Sequence, residues 1–321
     1  MAYRFEPDET VRDAVVRCAR GQLDVAVQEL SEGMENDPVG AVHAARKAVK
    51  KERALLRLVR GTLPSKPRAR ENAVLREAAR GLSGARDAEV MIQTLDQLAE
   101  RFTGQLPERT FSTVREQLDL ARRSERALLV KSALSTDAVQ DLGAVEIRID
   151  DWKLRRDGWR ALDSGLLATY GRGRKAFRRA RNEPSLENLH AWRKRVKDLW
   201  YQLRLVAPVC GPAVRGQAKE AHRLADLLGD DHDLGVLRET LRGMGADVAV
   251  DLDALLGVVD YRRAQLQTQA MCVGERLYAE KTKALGRRIH RCWSAGRAEA
   301  RAAQERRPAV LAQTTRTVRA A

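Results

Sequence analysis

Leu189–Val206, LHAWRKRVKDLWYQLRLV, repeats an earlier stretch, Val42–Val59, VHAARKAVKKERALLRLV. At an ungapped offset of 147 residues, ten of the eighteen positions are identical: His43/His190, Ala44/Ala191, Arg46/Arg193, Lys47/Lys194, Val49/Val196, Lys50/Lys197, Leu56/Leu203, Arg57/Arg204, Leu58/Leu205 and Val59/Val206. Chance rarely produces such a match, so the chain reads as a tandem duplication. On a helix at 100° per residue, His43, Arg46, Lys47, Lys50, Arg53 and Arg57 share one stripe, and Ala45, Val49, Leu56 and Val59 share another. The second copy sets His190, Arg193, Lys194, Lys197 and Arg204 against Leu189, Trp192, Val196, Leu199, Leu203 and Val206. The apolar stripe is an ordinary core-facing helix face.

The basic stripe is less ordinary. A solvated face mixes Glu with Lys four residues apart, and like charges at that spacing cost a few tenths of a kcal/mol per pair. Here the cations follow one another with almost no acid between them, twice. An anionic partner explains this better than solvation does. His43 to Arg57 spans about 21 Å at 1.5 Å per residue, which suits a long polyanion better than a single phosphate.

The 321 residues suffice for two domains of ordinary size. Apolar residues make up 44% and aromatics 4%, which predicts a core of Leu, Val and Ala. A net charge of +15 favours nucleic acid, an anionic membrane surface or another polyanion as partner. Cys18, Cys210, Cys272 and Cys292 share no CxxC spacing and read as small buried residues or free thiols in a reducing compartment. The opening MAYRFEPDETVRDAV has neither a secretory apolar run nor the acid-poor character of a transit peptide. No apolar stretch is long enough to span a membrane. These features predict a cytoplasmic protein.

Helical periodicity runs from end to end and predicts an all-α fold. A first helix should run from Pro7 to about Leu30, a basic helix to Leu63, a third to about Leu82 before a turn at Ser83 and Gly84, a fourth capped by Asp87, and a fifth over Glu108–Lys131. Ser132–Asp150 reads as a linker, its Val145–Ile149 alternating like a strand with no partner. The first half is therefore placed at 1–145 and the second at 146–296. In the second half a long basic helix should end near Arg181, the second basic helix near Pro208, and the next near Leu228. The acidic turn Asp230–Asp233 and a short helix to Leu241 follow. Gly243 and Gly245 then precede one long segment from Val250 to about Trp293. The stretch 82–95 lies over 228–241 at an offset of 146, matching Asp87 to Asp233. Arg297–Ala321 reads as a flexible basic tail.

Between Arg172 and Lys197, ten Lys or Arg face two Glu. Arg174, Arg178 and Arg181 form a stripe with Lys175 and Arg179 beside it, and this arm is expected to line the same groove. Asp230-Asp231-His232-Asp233 suits a divalent ion in composition, but it stands at an expected helix start, where Asp caps. No Walker A, dinucleotide or nucleophile-elbow pattern appears. No catalytic residue, metal site or cofactor is therefore expected.

A basic helix beginning with His, HAARKAVKKERALLRLV and HAWRKRVKDLWYQLRLV, present once per half with the ARD and DHD turns, resembles the CHAD family (conserved histidine α-helical domain). The resemblance covers roughly Pro7–Trp293. It implies two helical bundles related by a pseudo-twofold axis, with the basic helices lining a shared central channel. It also implies inorganic polyphosphate as ligand and association with polyphosphate granules. Some relatives carry a fused triphosphatase-type domain, which no segment here resembles, so the expected protein is not an enzyme. The implied ligand-facing set is His43, Arg46, Lys47, Lys50, Arg53, Arg57, His190, Arg193, Lys194, Lys197 and Arg204. Trp200 stands where the first copy has Arg53, and Asp198 where it has Lys51, so the halves should contribute unequally. Nucleic acid is the alternative partner, although the aromatics that stacking needs cluster only at Trp192, Trp200 and Tyr201.

Overall fold

A computed structural model describes residues 3–82, 84–131, 134–244 and 250–319, with side chains for 3–82, 87–128, 135–244 and 250–306. Every regular element among them is helical: α1 (Val11–Gln28), α2 (Met34–Asn36), α3 (Pro38–Leu58), α4 (Ser65–Gly81), α5 (Gly84–Arg101), α6 (Glu108–Lys131), α7 (Leu134–Ile147), α8 (Trp159–Asn182), α9 (Leu186–Cys210), α10 (Pro212–Gly243), α11 (Leu252–Leu277) and α12 (Thr282–Arg319). Ser83, expected in a turn, and Gly245, expected as a breaker, lie outside the described residues.

The two basic helices are α3 and α9. Each opens on a side-chain cap: Asp37 accepts from the Gly40 amide at 3.0 Å, and Ser185 accepts from the Asn188 amide at 3.2 Å. Both apolar stripes are buried as the periodicity requires. Ala45, Val49, Leu56 and Val59 in the first, and Leu189, Trp192, Val196, Leu199, Leu203 and Val206 in the second, are all inside. Gly165 of α8 lets that helix cross the end of α3, because a Cβ there would lie 1.7 Å from the Leu58 carbonyl oxygen.

Two hydrophobic clusters fill the interior. The larger draws on α1, α3, α4 and α7 together with α8, α9, α12 and parts of α10 and α11. The smaller joins α5 and α6 to the end of α10 and the start of α11. Each cluster thus mixes residues from before and after position 145.

Several boundaries differ from the sequence reading, each for a tertiary reason. The expected linker contains α7 and a 3-10 turn, Arg148–Asp151. Leu142, Val145 and Ile149 are buried at helical spacing, while Ile147, which would share a strand face with Val145, is 79% exposed. Asp87 lies in the first turn of α5 rather than at its cap. The acidic stretch 230–233 is not a turn, because α10 passes straight through it. Gly229, expected to break the chain before it, lies inside α10 as well, and Gly235 after it packs closely, since a Cβ there would meet Leu186 of α9 at 2.6 Å. The expected last segment divides at 278–281, where the Tyr170 hydroxyl donates to the Glu280 carbonyl at 2.9 Å and lies 3.3 Å from that of Leu277. The expected tail from Arg297 instead continues α12 to Arg319. Its first residue is tied down by a 2.7 Å bond from Arg297 to the Pro7 carbonyl.

One buried group works against stability. Glu52 of α3 is wholly buried and neither carboxyl oxygen has a hydrogen-bond partner. Burial raises its pKa to about 8. The folded state therefore keeps a proton that the unfolded chain releases near its ordinary 4.5. Its contribution to stability falls as pH rises from there to about 8, then levels off. The second copy has Leu199 at this position. Glu52→Leu is expected to stabilise the fold by about 1–3 kcal/mol at pH 8, the usual cost of an unsatisfied buried polar group. Denaturant melts at pH 5 and pH 8 check this: the gain should be larger at pH 8, and a loss at both would refute it.

Candidate anion-binding cleft

Helices α3 and α9 pack directly against each other. At their crossing the buried amide of Gln202 donates to the Ala54 carbonyl at 3.1 Å. Across the crossing the charge of Arg204 acts on Lys51, and Arg57 meets Asp198 at 3.3 Å. These two pairs exchange with each other under the 147-residue offset.

The cations crowd one another here. Burial, followed by Arg46, Lys197 and Arg193, pushes Lys50 down to about 8, with Asp87 opposing. Lys197 is lowered by burial and Arg193, with a further push from Lys47, against Asp226 and Asp233. Lys51 is lowered to about 8 by burial, Arg204 and Lys47. Lys50 nevertheless reaches solvent. A side chain that is both wetted and desolvated by surrounding atoms lines a concavity rather than a convex face. Arg46 reaches over α4, donating to the Ala79 carbonyl at 3.3 Å.

The two opening histidines have different surroundings. His43 is exposed, whereas His190 is half-buried and stacks on His232 of α10 with ring centroids 4.1 Å apart. Burial and the neighbouring His232, Lys194, Arg193 and Lys50 push His190 down to about 4. His232 is likewise pushed to about 4, by burial, Arg193, Lys194 and Arg263. Burial and the surrounding cations thus favour the neutral form of His190. Within the acidic stretch, Asp231 accepts from Arg263 at 3.1 Å and from Gln267 at 2.8 Å. Among the described residues no group of three or more His, Cys, Asp or Glu is arranged to hold a metal.

Two recesses flank the crossing. A groove of about 810 Å³ contains Arg204 with Arg4, Arg215, Lys219 and Arg223, and with Tyr3 and Trp200 along its wall. The Trp200 ring lies between Tyr201, at 4.6 Å, and His222, at 4.0 Å. A smaller cavity of about 180 Å³ is lined by Arg57, Arg60, Arg68 and Arg172, with Leu56 and Asn72. Arg53 joins it from the side, donating to Asn72 at 3.2 Å. Asp198 lies beside this cluster, 3.3 Å from Arg57 and 3.4 Å from Arg195; burial raises its pKa although Arg57, Arg195, Arg172 and Arg53 act to lower it.

Of the residues named from sequence, Arg46, Lys47, Lys50, Arg193, Lys194, Lys197 and His190 gather at the centre. Arg53 and Arg57 gather at the small cavity, and Arg204 at the large groove. The α8 arm behaves differently. Arg174 bears on Tyr170, towards the α11–α12 junction, and Lys175 and Arg178 are exposed. Arg172 is the α8 residue at the small cavity, about 160° around the helix from Arg174. Sequence reading missed Arg60, Arg68, Arg172, Arg195 and Arg215. The signal for two of them was present: Arg68 and Arg215 are identical at the same 147-residue offset, outside the quoted window.

The fold and its paired basic helices define an all-α protein with cations of both helices gathered at one crossing. The family model of the CHAD domain matches residues 17–242, and the chain belongs to that family. Among solved structures, the CHAD domain from the plant Ricinus communis is similar with a TM-score of 0.57 and 18% identity, over 90% of this chain and 95% of that one. PptA from Streptomyces chartreusis is similar with a TM-score of 0.60 and 12% identity, over 85% of this chain and all of that one. No curated protein sequence matches. Among the described residues, no helix is long and apolar enough to cross a membrane.

Proposed function

We propose that this protein binds inorganic polyphosphate along the α3/α9 crossing, without catalysing its turnover, and does so in the cytoplasm on polyphosphate granules. In this reading the two halves are tandem copies related by a local twofold axis near Lys50 and Lys197, and the basic helices line one shared channel. The observation that carries it is the crowding of cations from both helices at the crossing, where Lys50 stands near Arg46, Lys197 and Arg193, and Lys197 stands near Arg193 and Lys47. Holding like charges together costs energy that a threaded polyanion returns. Arginine forks onto two phosphate oxygens while lysine supplies a point charge, and α3 and α9 present both.

The exchange of Lys51 with Arg204 for Arg57 with Asp198 supports the twofold relation. The occupation of Asp231 by Arg263 and Gln267 supports a non-catalytic role. Nucleic acid is the weaker reading, because Trp192 and Tyr201 are buried in the core. Only Trp200 of that cluster reaches a groove, and its ring is already flanked.

Binding of long-chain polyphosphate and of a size-matched DNA duplex, each across a salt series, tests the proposal. Polyphosphate should bind more tightly. With six to ten phosphates neutralised, its affinity should fall about 10³- to 10⁵-fold between 50 and 200 mM salt. Equal affinity for both would mark a generic basic protein. Steady phosphate release with Mg²⁺ or Mn²⁺ would overturn the non-catalytic reading.

A further inference from the structure

The small arginine cavity differs from the rest of the basic surface in size and in composition. Its 180 Å³ equals the space of about six liquid waters at ~30 Å³ each. That accommodates a phosphoryl group and a little water, but not a nucleobase with its sugar. Four arginines line it, and no carboxylate does among the described residues; Asp198 pairs with Arg57 from outside the lining at 3.3 Å. Burial and neighbouring arginines lower both Arg53 and Arg172. The Arg68 Nε is buried without a hydrogen-bond partner, a donor in want of an acceptor. The corresponding place in the second copy is built differently. There Arg204 and Arg215 stand in a groove of about 810 Å³, with Trp200 in place of Arg53 and with Asp226 and Asp230 on its wall.

We propose that the cavity formed by Arg57, Arg60, Arg68 and Arg172 seats the terminal phosphoryl group of a polyphosphate chain, a reading that rests on the function proposed above. A terminal phosphoryl has three free oxygens and, with a second pKa near 6 as in phosphate monoesters, close to two charges at neutral pH. An internal unit has two free oxygens and one charge. Several guanidinium forks converging on a small space match the terminal group better. The wide groove around Arg204 cannot close on a single phosphoryl, so the chain runs out through it. One end is thus held at Arg57–Arg172, and the body passes Lys50 and Lys197.

The test compares a linear polyphosphate having free ends with the same chain whose two ends are blocked as neutral-capped diesters, measured calorimetrically at fixed salt. Blocking is expected to weaken binding to the full-length protein about tenfold or more, the value of at least one lost charge-assisted bond. Arg60→Gln and Arg172→Gln, both at exposed positions, should bring free-ended chain down to the blocked-chain affinity and leave blocked-chain binding nearly unchanged. Inorganic pyrophosphate, which consists of two terminal groups, should compete for the wild type and not for the double variant. Equal binding of blocked and free chains, or equal weakening of both by the variants, would overturn the end site while leaving channel binding standing. Failure of the wild type to bind either chain would sink the polyphosphate reading and the end site together.

Discussion

Lys50→Glu combined with Lys197→Glu is expected to lower affinity for long-chain polyphosphate by about a thousandfold or more at 0.1 M salt. Lys50 stands near Arg46, Lys197 and Arg193, and Lys197 near Arg193 and Lys47, so each reversal removes one attraction and adds one repulsion at the crossing. Losing one partner of a close, desolvated charge pair costs 2–5 kcal/mol, and two such losses account for the effect. The free protein should respond in the opposite direction. The two introduced carboxylates would stand among Arg46, Arg193 and Lys47, relieving the crowding that depresses the lysines, so thermal stability should hold or rise. Loss of binding with preserved stability separates a ligand site from a structural one. A double variant that binds within about fivefold of wild type would remove the crossing from the site.

Raising the pH from 7 to 9 is expected to weaken polyphosphate binding about tenfold through Lys50 alone. Burial and surrounding cations put Lys50 at about 8 in the free protein, against an ordinary 10.5. A bound polyanion favours the charged ammonium and returns the pKa towards 10.5, so binding takes up a proton once the pH passes 8. By linkage, affinity is then flat below about pH 7 and falls above 8 by up to tenfold per pH unit per group. Lys51 and Lys197 shift in the same direction and steepen the fall. Binding isotherms in two buffers of different ionisation heat would register the proton uptake directly at pH 8.5. A pH-independent affinity between 7 and 9 would show that these lysines do not feel the ligand. Below pH 5 the sign continues: His190, at about 4 in the free protein, becomes a further cation when an anion is bound, and affinity should rise again.

The charge pattern was legible because it is carried by two helices with a plain period. The positions Ala45, Val49, Leu56 and Val59, and the six apolar stripe positions of the second copy, point inward as 100° per residue dictates. The cations on the opposite stripes then necessarily share a side. The offset of 147 residues gave the pairing of copies. Other features were not local properties. Gly229, Gly235 and the Asp230–Asp233 run look like punctuation, yet α10 continues through them because α9 and α11 supply Leu186, Arg263, Gln267 and His190 as partners. Conversely, nothing between Val250 and Trp293 signals a break as strongly as Pro or Gly-Pro would. The break at 278–281 depends on Tyr170, more than a hundred residues earlier.

Sequence by itself determined the all-helical character, the two basic helices with their amphipathic faces, the excess of positive charge and the fact that the basic segment occurs twice, because each follows from residue type and spacing along one chain. Tertiary structure alone decided which arginines meet. It set Arg172 rather than Arg174 beside Arg57, drew Arg60 and Arg68 into the same small cavity, and buried Tyr201 while leaving Trp200 at a groove. Those outcomes turn on how α3, α8 and α9 cross, and a crossing angle arises from packing between helices rather than from the period of any one of them.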